Sequence, residues 1–184
     1  MRLETERLVL RMPDADDVRA VQIAIQMTLD DLARWMPQAL KGQTQAQTRA
    51  YIFTQMALFV QDQNLTFGLF GKESGACLGM IELGIRIPQL PSFELSYWTR
   101  SDVMGQGFMT EAGQAILSFA FGTLHARRVF ARCEGGNLAA GKLAEKIGLK
   151  QEGILLNDAL SVDQTTPVDT VIYGLTPRQW QGGA

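Results

Sequence analysis

A chain of 184 residues with 46% hydrophobic and 20% charged side chains has enough apolar material for one buried core and too little charge for disorder. A formal net charge of −2 offers no basic surface to nucleic acid, which is bound mainly through Lys and Arg displacing counterions from phosphate. With one histidine, His125, and two cysteines, Cys77 and Cys133, the chain carries no disulfide framework and no ligand set for a zinc site. The opening Met1-Arg-Leu-Glu-Thr-Glu-Arg-Leu-Val-Leu-Arg11 alternates charged and apolar residues, unlike a signal peptide. No run of ~18 apolar residues marks a membrane span, so a reduced cytoplasm is the expected compartment.

Periodicity gives the elements in chain order. Glu6 to Met12 reads as a strand, with Leu8 and Leu10 alternating against Arg7, Val9 and Arg11. Pro13-Asp14 opens a helix that carries Val18, Val21 and Ile25 at helical spacing, with Asp14 as its N-cap. A short helix runs through Leu29 to Trp35 and is halted by Pro37; a longer helical pattern covers Thr44 to Gln63. Leu65 to Phe70 and Cys77 to Ile87 read as a hairpin joined by Gly71-Lys-Glu-Ser-Gly75. Strands are expected at Phe93 to Arg100, Arg127 to Cys133, Leu149 to Leu156 and Val168 to Leu175, and helices at Gly105 to Gly122 and Asn137 to Ile147. The alternation after residue 93 predicts an α/β (α+β) fold with a mixed sheet, in a single domain spanning 1–184.

The most informative stretch is Ser96-Tyr-Trp-Thr-Arg-Ser-Asp-Val-Met-Gly-Gln-Gly-Phe-Met-Thr-Glu-Ala112, a strand running through a glycine-rich loop into a helix. Glycines there let a ligand approach the backbone, and the free amides of a first helical turn suit phosphate oxygens. No Lys-Ser/Thr follows the glycines, as a nucleoside-triphosphate loop requires, and Thr110 stands where a dinucleotide fingerprint needs its third glycine. A plain turn before a helix and a phosphate cradle both remain open on this motif alone. Asn137-Leu-Ala-Ala-Gly-Lys-Leu-Ala-Glu-Lys-Ile-Gly-Leu149 is a second helix, N-capped by Asn137 and ended by Gly148.

The two segments in this order, about 30 residues apart, resemble the GNAT superfamily of acyl-CoA N-acyltransferases, and within it the RimJ/RimL-like branch that includes ribosomal-protein N-terminal acetyltransferases. Leu3-Glu-Thr-Glu-Arg-Leu-Val-Leu-Arg11, Leu32-Ala-Arg-Trp-Met-Pro37 and Asp169-Thr-Val-Ile-Tyr-Gly-Leu175 are similar to that branch's opening strand, its Leu-x-x-Trp-Met-Pro segment and its closing strand. The resemblance implies a central sheet of about seven strands, with a splay between the two middle strands and helices on both faces. It implies acetyl-CoA as co-substrate, no metal, and an amine acceptor, either a protein N-terminus or a small amine. Dimers occur in related folds, so a homodimer is a further expectation.

The family's Gln/Arg-x-x-Gly-x-Gly/Ala signature falls on Met104, Gly105, Gln106, Gly107, Phe108 and Met109, with Thr110 adding a hydroxyl. Its amides would hold the cofactor diphosphate. Met104 replaces the usual polar residue without removing a backbone donor. The open edge of the strand before the loop, Tyr97, Trp98 and Thr99, would pair with the pantetheine, and Asn137 would lie near it. Ala140 stands where the branch often has Ser, which removes a side-chain proton donor to the leaving sulfur. Met104 and Ala140 also fit a non-catalytic acyl-CoA-binding module.

The mechanism implied is direct attack of a neutral amine on the thioester. Glu94 is the expected base, with Glu82 second; strand alternation puts Glu94, Ser96 and Trp98 on one face. Glu82, Ser96 and Trp35 are the expected acceptor contacts. Cys133, with no histidine nearby in sequence, reads as an inert thiol, and His125 as a helix-end residue. One of Arg127 and Arg128 is a candidate for the adenosine 3′-phosphate.

Overall fold

The computed structural model describes residues 1–36, 44–61, 63–87, 89–162 and 164–180, so the expected helix stop Pro37 lies outside the described residues. Among the described residues, eight strands form one sheet: β1 (Arg2–Glu4), β2 (Leu8–Arg11), β3 (Asn64–Gly71), β4 (Cys77–Ile87), β5 (Ser92–Thr99), β6 (Arg128–Glu134), β7 (Lys150–Leu160) and β8 (Pro167–Leu175). Five α-helices accompany them: α1 (Val18–Gln26), α2 (Leu29–Trp35), α3 (Gln45–Val60), α4 (Phe108–Gly122) and α5 (Leu138–Lys146). The strand beyond the expected seven is β1. Thr5 turns the chain, its amide and hydroxyl both reaching the Leu8 carbonyl, so three residues pair back onto β2.

The order across the sheet is β1-β2-β3-β4-β5-β6-β8-β7. Every neighbouring pair is antiparallel except β5 and β6. That parallel pairing covers only Ser92 with Arg128, Phe93 with Val129 and Glu94 with Phe130. Beyond Glu94, β5 stays with β4 as far as Thr99, and β6 stays with β8 as far as Glu134. The sheet therefore parts between its middle strands, leaving the β5 edge from Leu95 onward without a strand partner on that side.

Two apolar layers sandwich the sheet. On one face Leu8, Leu10, Phe67, Leu69, Ile81 and Leu83 meet Met109, Ala112, Ile116 and Leu117 of α4. On the other, Phe70, Cys77 and Met80 meet Val18, Val21 and Ile25 of α1 and Ile52 of α3. Each fully buried Leu, Ile or Phe contributes roughly 1.5–3 kcal/mol by leaving water. Alternation in β4 sends Met80 and Glu82 to the α1/α3 face and Ile81 and Leu83 to the α4 face.

The entry to α1 is a polar clasp. Asp14 and Asp17 form a capping box around the turn Ala15–Asp17. Arg11 of β2 grips the buried Asp17 carboxylate with both terminal nitrogens, at 2.6 and 2.8 Å, and lies 4.2 Å over the Phe70 ring. Removing one partner of such a pair strands the other in a poorly solvated place. Arg11→Met therefore costs about 3 kcal/mol, a fall of roughly 6–12 °C in melting temperature, readable by thermal denaturation.

Candidate active site

Where the sheet opens, β5 leads through the turn Ser101–Val103 into α4. Gly105 and Gly107 sit in the left-handed region at φ 76° and 85°, which glycine adopts without steric cost, and so α4 begins at Phe108 rather than at Gly105. The first intrahelical bond runs from the Glu111 amide to the Gly107 carbonyl at 3.0 Å. The amides of Phe108, Met109 and Thr110 precede it, and no side chain caps the helix at Gly107. These donors add to the positive end of a 15-residue helix dipole.

A cavity of about 560 Å³ lies between this helix start and the parted strands. From the loop and helix, Met104, Gly105, Gly107, Phe108, Met109 and Thr110 line it. From β5 come Ser96, Tyr97, Trp98 and Thr99, and from α5 and its cap come Asn137 and Ala140. Trp35 closes one side. Of the residues expected to bind cofactor or acceptor or to act as base, Gln106, Glu82 and Glu94 are not among the lining groups, nor is either Arg127 or Arg128.

The volume, the row of helix-start amides and the open strand edge together fit a ligand carrying both a diphosphate and an extended amide-bearing arm. Asn137 serves as the N-cap of α5, its Oδ1 accepting from the Ala140 amide at 3.1 Å. Tyr97 reaches under the same turn and donates to the Ala140 carbonyl at 2.9 Å. Burial pushes the Tyr97 hydroxyl well up, so it remains a neutral donor. Burial likewise raises the half-buried Cys133 thiol, and a protonated thiol is a poor nucleophile.

Helix α2 spans the mouth of the opening. Asp31 accepts a hydrogen bond from Ser101 in the β5–α4 connection, while the Trp35 indole lies against Gly136 between β6 and α5. The helix thus touches both lips of the gap. The cavity wall also carries Arg132, Lys142 and Lys146, three cations that sequence reasoning did not single out. They lie on two elements at spacings that mean nothing until β6 and α5 fold together. Arg128 is paired with Glu152 and stacked on Phe130, and neither it nor Arg127 lines the cavity.

The carboxylates sit behind the β5 wall. Ser96 is exposed and faces Glu82 across the β4–β5 ladder, which places their Cβ atoms ~5 Å apart on the α1/α3 face. Glu82 is held by donors from three sides: Tyr51 at 2.9 Å, Asn64 at 3.4 Å and Thr66 at 3.4 Å. Burial, and then the Glu82 charge, raise the Tyr51 hydroxyl well above its usual range, which keeps it a donor to that carboxylate. Glu94, half-buried, lies on the last paired rung before β5 and β6 separate.

The acetyltransferase (GNAT) domain family matches residues 7–150. YdaF of Bacillus subtilis (strain 168), named as a candidate ribosomal N-acetyltransferase, is 26% identical over 178 residues, covering 96% of this chain and 95% of that protein. The structure of RimL, a ribosomal-protein α-N-acetyltransferase with coenzyme A disulfide-linked to a cysteine, superposes with a TM-score of 0.85 at 19% identity, over 96% of this chain and 98% of that one. The microcin self-immunity acetyltransferase MccE, with acetyl-CoA and AMP, gives a TM-score of 0.84 at 17% identity, over 94% and 93%. Likeness at these identities is one of fold. With the family match over most of the chain, the helix-start amides and the parted strands, the chain belongs to the GNAT family and is an acetyl-CoA-dependent N-acetyltransferase.

Proposed function

We propose that the chain, as one domain, acetylates a primary α-amine, with a protein N-terminus as the first candidate and a small amine as the second. The observation that carries this reading is one cavity lined both by the α4 start, which no side chain caps among the described residues, and by the open edge of β5. The amides of 107–110 take the diphosphate, and Lys142 and Lys146 supply positive charge along the wall, which also carries Arg132 in its pair with Asp158. The β5 edge aligns the thioester, and a strand amide there stabilises the oxyanion. Names among the relatives favour a ribosomal-protein terminus as acceptor.

Energetics favour the α-amine. Its pKa near ~8 leaves a useful neutral fraction at neutral pH, whereas a lysine amine near ~10.4 needs roughly 3 units, about 4 kcal/mol, of deprotonation. Glu94 takes up the proton, with Glu82 supporting it behind Ser96. The loss of a serine at position 140 is tolerable because a thiolate of pKa near ~8.5 leaves without a strong acid.

The test is release of free CoA thiol from acetyl-CoA against a panel of N-terminal peptides, lysine side-chain peptides and small amines. Turnover with α-amino peptides is expected, and turnover confined to small amines overturns the first candidate. A second prediction uses the two thiols. Cys133 lines the cavity, while Cys77 is buried and its thiol is pushed up to about 11. Acetyl-CoA at ten times its Kd should slow iodoacetamide labelling of Cys133 about tenfold and leave Cys77 unlabelled throughout. Unprotected labelling of Cys133 places the cofactor elsewhere.

A further inference from the structure

We propose that Arg7 is a positioning residue that aims the Gly107 amide at the diphosphate. The inference rests on the cofactor placement given above. Arg7 is not part of the cavity wall; it lies behind the loop, on the turn between β1 and β2. Its Nη1 donates to the Gln106 carbonyl at 3.0 Å. In a planar trans peptide the C=O and the following N–H point in opposite directions. Holding the Gln106 oxygen on the outer side therefore directs the Gly107 N–H to the other side, and Gly107 lines the cavity while Gln106 does not.

This peptide needs an outside clamp. Turning the 106–107 plane over changes ψ of Gln106 and φ of Gly107, and the glycine, already at positive φ, offers little steric resistance to it. A flipped plane would present the Gln106 oxygen to the diphosphate, replacing attraction with repulsion. Arg7 is itself over-determined. Its Nε donates to Glu111 Oε2 at 2.7 Å and its amide to Oε1 at 2.8 Å, and its guanidinium lies 4.2 Å over the Phe108 ring. The Thr5 hydroxyl donates to the same Glu111 oxygen as the Arg7 amide. Partial burial raises the Glu111 carboxyl, but the bonds from Thr5 and Arg7 outweigh it and hold the group below its usual range. Glu111 stands in the first turn of α4, so the network ties the loop, the helix start and the opening hairpin into one unit.

The experiment uses the full chain with Arg7→Met, Arg7→Lys and Glu111→Gln. Calorimetry gives the Kd for acetyl-CoA, steady-state kinetics give kcat and both KM values, and amide NMR follows Gly107. Arg7→Met, whose side chain still covers Phe108, should raise the Kd and KM for acetyl-CoA roughly ten- to thirtyfold. At saturating acetyl-CoA, kcat and the KM for amine should stay within about twofold, since the reacting atoms are untouched. Arg7→Lys should fall between, because an ammonium reaches Gln106 or Glu111 but does not fork to both. It also decides the question if Arg7→Met does not fold. A rise confined to acetyl-CoA terms, with the Gly107 resonance displaced, supports the inference. Arg7 variants binding acetyl-CoA within about twofold of a wild type that itself binds overturn the inference and leave the cofactor placement standing. A wild type that does not bind overturns both.

Discussion

Gly107→Asp is expected to fold at close to wild-type stability and to lose acetyl-CoA affinity by at least about a hundredfold. The two effects separate because the substitution adds a charge at the cavity edge without entering the apolar core. The left-handed φ of 85° at Gly107 costs an aspartate about 1 kcal/mol, and aspartate is among the residues that best tolerate that region. The Cβ of an aspartate at this position points at Arg7, 3.4 Å from its Nη2, so the carboxylate gains an ion pair that offsets part of that cost. A negative charge at the helix start repels the diphosphate assigned to its amides, and the new pair draws Arg7 off the Gln106 carbonyl. A glycine that served only the turn would give a variant with unchanged binding. Thermal denaturation and calorimetry on one preparation read both halves.

The second large effect falls on the carboxylate face. Glu94→Gln is expected to lower kcat about a hundredfold or more at pH 7 with little change in acetyl-CoA affinity. Glu82→Gln should lower it about tenfold, since Tyr51 and Thr66 can still bond the amide oxygen, while the Asn64 contact to the other carboxylate oxygen is lost. The pH dependence carries the sign. A base matters most where the acceptor is protonated, below its own pKa. At pH 9 an α-amine of pKa ~8 is already about 90% neutral, so the Glu94→Gln defect should shrink toward tenfold. With a lysine acceptor, pKa ~10.4, the defect should persist at pH 9. A pH–kcat profile on both acceptors checks this; variants within about threefold of wild type at pH 7 would mean that the amine arrives already neutral.

Local patterns carried much of the architecture. The helix Leu29–Trp35 has the bounds that its spacing predicts, and β4 matches Cys77–Ile87 at both ends. Both depend on neighbours in sequence: apolar period and flanking turn residues. The glycine loop was likewise recognisable because left-handed positions before a helix select glycine. Elements without a burial contrast were harder. Edge strand β7 extends to Leu160, beyond the expected Leu156, because nearly all its residues are exposed and no alternation marks its end. Strand β1 has three residues and only one apolar side chain. Within the site, residues on the loop, β5 and α5 lay in readable motifs, and the cavity gathers them. What sequence could not supply were contacts between distant segments. Arg7 meets residues about a hundred positions away, Trp35 meets Gly136, and the cavity cations come from β6 and α5. The pairing of Glu82 with Ser96 across the β4–β5 ladder is also a tertiary fact.

The most direct measurement is a titration of the ¹⁵N-labelled chain with acetyl-CoA, following every resolved backbone amide. The assignment of the helix start as the diphosphate cradle predicts that the largest shifts fall on Gly107, Phe108, Met109 and Thr110, followed by Tyr97, Trp98 and Thr99. Saturation with those amides unmoved, and the major shifts elsewhere, would contradict it.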